Sequence, residues 1–203
     1  FSCFKKETDL ARKTTGKINT ISVIIDDQLW NGEIGDSIRN TFASPVIGLP
    51  EEEPLFTINQ HPVKLLEGFA TDSRAILIIK KATKTRFEIK RNQYASPQNV
   101  FHIAGKTTDE LLQLLEKHSP NIIRLIEKGE IAQSQEINKK ALLSTAFFKK
   151  QFQLTIEVPS NFETVLRKPN FVWLKKNSIS GSSSLLLYQL PLKKITSSNV
   201  AVD

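Results

Sequence analysis

Apolar residues recur at two periods along this chain, and the longest stretch of either period is helical. Between Lys106 and Gln151, Leu111, Leu115, Ile122, Ile126 and Ile137 keep one phase, at steps of four and seven or their sum. That is the stripe of an amphipathic helix. Thr107 or Thr108 offers an N-cap, and Asp109 and Glu110 supply an acidic first turn. Ser119-Pro120 predicts either a restart, with proline at the first helical position, or a kink.

Upstream, the period shortens. Residues 18–26 are rich in β-branched side chains and predict a buried strand that Asp26-Asp27 closes. Trp30-Asn31-Gly32 leads into a helix with Asn31 as the expected cap. Ile34, Ile38 and Phe42 then repeat every four residues and should bury one face, until Ser44-Pro45 stops the helix. Strands follow at 55–60, 74–81, 86–92 and 100–105, and a short helix at 62–69 turns Val63, Leu66 and Phe69 inward. In 86–92, Phe87 and Ile89 alternate with Arg86, Glu88 and Lys90, which predicts one wet face.

Downstream of the helical stretch the same order is expected again. Residues 152–159 resemble 56–62, 161–166 read as a short helix, 171–176 match 76–81, and 183–190 match 86–92 after a Gly-Ser turn. The prediction is an α+β fold with mixed or antiparallel sheets and helices on one side. It contains two copies of a β-α-β-β unit separated by the long helical stretch. The expected divisions are a lipobox remnant and polar tether at 1–16, a first unit with the long helix at 17–151, and a second unit at 152–203. Val200-Ala-Val-Asp203 lacks a polar tail, so the chain is expected to continue.

Composition narrows the class. A chain of 203 residues buries enough surface to fold without disulfides, and it has one cysteine. No apolar run approaches the roughly 20 residues that span a bilayer. The net charge of +7 invites a nucleic-acid reading. However, the lysines fall as pairs at strand ends (Lys80-Lys81, Lys149-Lys150, Lys175-Lys176, Lys193-Lys194), where they punctuate edges and turns. No nucleic-acid partner is expected.

The sequence contains no methionine, so Phe1 is not an initiator. Phe1-Ser2-Cys3 has the form of the end of a bacterial lipoprotein signal, with Cys3 as the lipid attachment site. A cleaved lipoprotein begins at its cysteine, so Phe1 and Ser2 would be precursor residues. Several acyl chains, at about 0.8 kcal/mol per buried methylene, make a stable anchor. Residues 4–16 are polar and read as a tether reaching at most ~45 Å. Phe4-Lys5-Lys6-Glu7-Thr8-Asp9 sets no two acids together. A cluster of acids after the cysteine would favour surface export, so the periplasmic face is expected.

Motifs for chemistry are sparse. The sequence has no dinucleotide fingerprint, P-loop or His-Glu-x-x-His, and one cysteine rules out a Cys-rich zinc site. His61, His102 and His118 are far apart in sequence. Asp26-Asp27 are paired carboxylates that a strand-end turn also explains. Glu51, Glu52 and Glu53 lie between Pro50 and Pro54. Calcium sites usually alternate their ligands, so this stretch predicts a solvated loop that could suit a partner surface. No cofactor, metal or small-molecule substrate is identified. Trp30 and Trp173 are expected at the core or its edge, with a sugar platform as the alternative.

Several stretches carry a family resemblance. They include residues 16–26, 29–39 and 45–57, together with Ser73-Arg74, Tyr94-Ala-Ser-Pro97 and Tyr188-Gln-Leu-Pro191. They are similar to a family of Bacteroidota lipoproteins known only as a domain of unknown function (family 4837), and the likeness extends over nearly everything after the tether. It implies a lipid-anchored envelope protein and supplies no catalytic residues. The function expected is a non-enzymatic subunit or adaptor of an outer-membrane or periplasmic complex. The alternative is an envelope hydrolase acting on peptidoglycan or glycan, with Asp26, Asp27, His61 or His102 in a cleft.

Overall fold

The computed structural model describes residues 12–49, 51–66, 68–178 and 181–191. Cys3 and residues 4–11 of the expected tether lie outside them. The chain forms two compact units, Phe1–Gln133 and Ser134–Asp203. It is an α+β protein with one mixed and one antiparallel sheet.

The first unit is built on β1 (Thr20–Ile25), whose β-branched run is buried from Ile21 onward. β2 (Thr57–His61) and β3 (Ala75–Lys81) flank it, both parallel to it. β5 (Asn99–Gly105) runs parallel to β3, and β4 (Arg86–Arg91) closes the edge antiparallel to β5. The order is β2-β1-β3-β5-β4. Apart from Ser22, whose hydroxyl pairs with Ser73 Oγ at 2.6 Å, β1 and β3 are apolar at every buried position because both faces of a parallel sheet are covered.

Alternation decides which side chain meets which cover. Ile21, Val23, Ile25, Leu77, Ile79, Phe101 and Ile103 share a core with two helices, α2 (Glu33–Phe42) and α3 (Thr108–Asn138). Ile24, Ile76, Ile78 and Val100 point the other way, onto Ala70, Val63 and Leu66. The helix expected at 62–69 is instead two 3-10 turns, Val63–Leu65 and Gly68–Thr71. Pro62 leaves too short a stretch for an α-helical nucleus before β3.

α2 buries Ile34, Ile38 and Phe42, the register its period predicts. Its cap differs from expectation. Gly32 holds the N-cap position, and Asn31 closes a one-turn helix, α1 (Asp27–Trp30), by donating its backbone N–H to Asp27 O. Asp26 O accepts the N–H groups of Leu29 and Trp30, so the Asp26-Asp27 pair serves as a strand end and helix approach. A Cβ at Gly35 would lie 1.7 Å from the Trp30 carbonyl oxygen. The close approach of α1 and α2 therefore requires glycine there.

α3 runs through Pro120 as one helix. Ser119, one position earlier, donates its hydroxyl to the Leu115 carbonyl. Thr107 is the cap: its Oγ1 accepts the Glu110 N–H at 3.2 Å, and Glu110 Oε2 accepts the Lys106 N–H at 2.8 Å. Leu111, Leu115, Ile122 and Ile126 are buried as predicted, but Ile137 is 46% exposed. Steps of four and three carry the buried face to Glu130, and Ile137 falls beyond it, within the second unit.

The second unit does not repeat the first. α4 (Ala146–Phe152) is followed by β6 (Glu163–Lys168), β7 (Phe171–Ser178) and β8 (Gly181–Tyr188) in an antiparallel meander. The strand expected at 152–159 is absent. Leu154, Ile156 and Val158 do alternate into the core around Phe148, but among the described residues the segment's only pairing is a bridge between Leu142 and Pro159. The helix expected at 161–166 is β6. Lys168 pairs with Phe171 across Pro169-Asn170. That two-residue turn closes a hairpin, which outweighs the helical spacing of Phe162, Val165 and Leu166.

Candidate functional site

Gln98 organises the loop between β4 and β5. Its carboxamide is buried and fully used. Nε2 donates to Thr71 O and Ser73 O, both at 2.7 Å, and Oε1 accepts the Tyr94 N–H at 3.0 Å. Its backbone exchanges hydrogen bonds with Asn92, whose Oδ1 accepts the Gln98 N–H at 2.9 Å. The loop is thereby fixed against the segment that precedes β3.

Residues 12–17 are laced onto the same place. Lys13 bridges Ser96 and Thr15 bridges Ser73, both in parallel sense. Arg12 lies 3.4 Å from Asp72. The last residues of the expected tether are therefore part of the folded body. The span from Cys3 to Arg12 is nine residues, at most ~32 Å.

Beside this lies an ion pair that hydropathy alone hides. Glu130 occupies the next stripe position after Ile126 on α3, and its side chain is 4% exposed. Arg74, at the start of β3, grips both of its oxygens, at 2.9 and 3.0 Å. The same guanidinium donates to Gly16 O and Lys17 O, and the Asn19 N–H reaches Glu130 Oε2 at 3.2 Å. An acid in phase with an apolar stripe was the available sequence signal for this pair.

Next to the pair, the amino ends of β3 and β5 and the α3 face around Gly129 line an open cavity of about 310 Å³. Ala75, Leu125 and Ile126 give it an apolar lining, and Arg91, Lys128 and Asn99 supply polar groups. Such a lining can hold a ligand, but it pairs no nucleophile with a base.

The residues singled out from sequence lie elsewhere. His61 and His102 share a cross-strand row with Ile24 and Ile78 between them. Three strand spacings separate the histidines by ~14 Å. Burial lowers the pKa of both, and Lys90 adds to the lowering at His102. His102 Nε2 meets Gln93 Oε1 at 2.7 Å. His118 stacks on Phe87 with ring centroids 3.9 Å apart, and burial lowers its pKa. Asp26 and Asp27 are exposed, with Gln60 Nε2 3.3 Å from Asp27 Oδ1. None of Asp26, Asp27, His61 or His102 lines the cavity. Among the described residues no three His, Cys, Asp or Glu side chains are placed to share a metal ion, and no helix is long and apolar enough to cross a membrane.

Glu51, Glu52 and Glu53 are exposed in a loop pinned at its base by the Pro45–Pro54 bridge. Its other arm carries Ile47, which is 99% exposed. In the second unit a larger apolar surface faces outward. Val172 and Leu174 fill the core below β7, while Leu166, Trp173 and Leu186 form a cross-strand row on the opposite face. Phe171 and Tyr188 extend it. Leu186 is 53% and Tyr188 61% exposed.

Two families match the chain. Residues 14–139, well over half of it, match the family described as Domain of unknown function (DUF8532), and residues 141–202 match Domain of unknown function (DUF4837). The resemblance read from sequence is thus borne out over the second stretch. The likenesses at 16–26, 29–39, 45–57, Ser73-Arg74 and 94–97 fall within the first family instead. No curated protein and no solved structure matches the chain.

Proposed function

We propose that this chain, which belongs to the DUF8532 family, is a lipid-anchored protein of the bacterial cell envelope. It acts as a non-enzymatic subunit or adaptor of an outer-membrane or periplasmic complex. The observation that carries this reading is the outer face of β6-β7-β8. Leu166, Trp173 and Leu186 stand in one row on a sheet whose other face is already packed. Contiguous exposed apolar surface of this kind marks sites of macromolecular interaction. Trp173 keeps its indole N–H satisfied on Ser184 Oγ at 3.0 Å, which leaves the ring as a contact surface. The pinned loop at Glu51, Glu52 and Glu53 offers a second, acidic contact.

Two experiments test the proposal. Leu186→Glu in the protein purified from its native membrane should remove an envelope protein that accompanies the wild type. Stability should change by no more than ~0.5 kcal/mol, the usual range for a surface substitution. An unchanged set of companions would overturn the adaptor reading. For the anchor, Cys3→Ser should release the protein from membranes with its fold intact, and sedimentation of the variant with salt-washed membranes would refute lipidation. The periplasmic orientation predicts protection from protease added to intact cells.

A further inference from the structure

We infer that the cavity beside Gly129 binds a small organic anion: a carboxylate carried on a compact apolar body. This inference is independent of membrane anchoring and of the partner surface.

The cavity's volume, about 310 Å³, is at the small end of the range for ligand pockets. Its charge is one-sided. Glu130, the one acid in the lining, is already clasped by Arg74, so its charge is met within the wall. Arg91, at the end of β4, and Lys128, on α3, belong to no ion pair among the described residues. Two cations on an otherwise neutralised opening favour an anion. Guanidinium in particular grips a carboxylate with two parallel hydrogen bonds.

The apolar part of the ligand has its own place. Ala75 and Ile126 are buried core residues that reach the cavity, and Leu125 adds to the same lining. The Asn99 carboxamide is half-buried and makes no side-chain hydrogen bond among the described residues, so a donor and an acceptor are left for the ligand. Gly129 keeps the space open. A glycine inside a helix costs about 1 kcal/mol relative to alanine. Close packing does not require it here, because a Cβ would meet nothing nearer than Asn99 Nδ2 at 3.7 Å. A larger side chain at this point would enter the cavity. The loop wall is held by Gln98, so the site is formed before any ligand arrives.

A carboxylate on an apolar body occurs in a free acid and at the C-terminus of a peptide, and the test separates these sources. Titration of the full chain with octanoate, and with a short leucine-ended peptide, should give saturable binding by at least one. The matching amide of whichever binds should bind at least tenfold more weakly. Arg91→Gln with Lys128→Gln, both exposed and harmless to the fold, should weaken the acid at least tenfold. Gly129→Leu should abolish binding while the circular dichroism spectrum is retained. If Gly129→Leu misfolds, the charge variant decides alone. The inference is overturned if neither probe saturates. It is equally overturned if acid and amide bind alike, or if the charge variant binds as the wild type does.

Discussion

Glu130→Ala should destabilise the first unit by ~3 kcal/mol, although the residue it removes is a charged one. The substitution leaves the Arg74 guanidinium buried, its side chain 10% exposed, without its counter-charge. Removing one member of a buried pair costs roughly 3–5 kcal/mol. The Gly16 and Lys17 carbonyls still accept two of the Arg74 hydrogen bonds, which places the loss at the lower end. Replacing both partners, as Arg74→Met with Glu130→Leu, should recover most of it, because an apolar pair of similar volume carries no desolvation penalty. Two compact units need not unfold together. The chain offers a reporter for each, since Trp30 lies in the first and Trp173 in the second. Trp173→Phe leaves Trp30 fluorescence to follow the first unit in urea. A Glu130→Ala midpoint equal to the parent's would show that the pair contributes nothing.

Phe42→Ala should cost ~3–5 kcal/mol in the same assay. Phe42 is fully buried at the end of α2, in the core that joins β1, β3 and α3. Its backbone is held as well, with its carbonyl accepting the Phe56 N–H at 3.0 Å. The surroundings therefore cannot simply collapse into the space the ring leaves. A loss below ~0.5 kcal/mol, as for a surface position, would mean that the face of α2 has been assigned wrongly.

The first unit was legible in sequence because its elements are long relative to their periods. Ile34, Ile38 and Phe42 on α2, the β-branched run of β1 and the apolar run of β3 allow one register each. The second unit misled because short segments satisfy two periods at once. Phe162, Val165 and Leu166 fit a helix by spacing and a strand by composition, and only the turn at Pro169-Asn170 decides between them. The alternation from Leu154 to Val158 is real, but burial without a partner strand yields no ladder. The candidate cavity was illegible for a different reason. Asn99 and Arg91 come from paired strands and Gly129 from a helix distant in sequence, and no local pattern announces that topology will bring them together. His61 and His102 stay apart in space as they are in sequence, because two strands intervene between β2 and β5.

The lacing of residues 12–17 has a mechanical consequence. A pull on the chain from its amino-terminal side meets Arg12 on Asp72, the Thr14 and Thr15 amides, and then the Arg74 clasp on Gly16 and Lys17. Only after these does it reach Thr20 and β1. The segment works like the strain relief on a cable: load is handed sideways to the β3 and β5 approaches, and β1 is spared tension along its own axis. With a lipid at Cys3, jostling between membrane and body would be absorbed by a few surface bonds that can break and re-form. The sheet would stay intact.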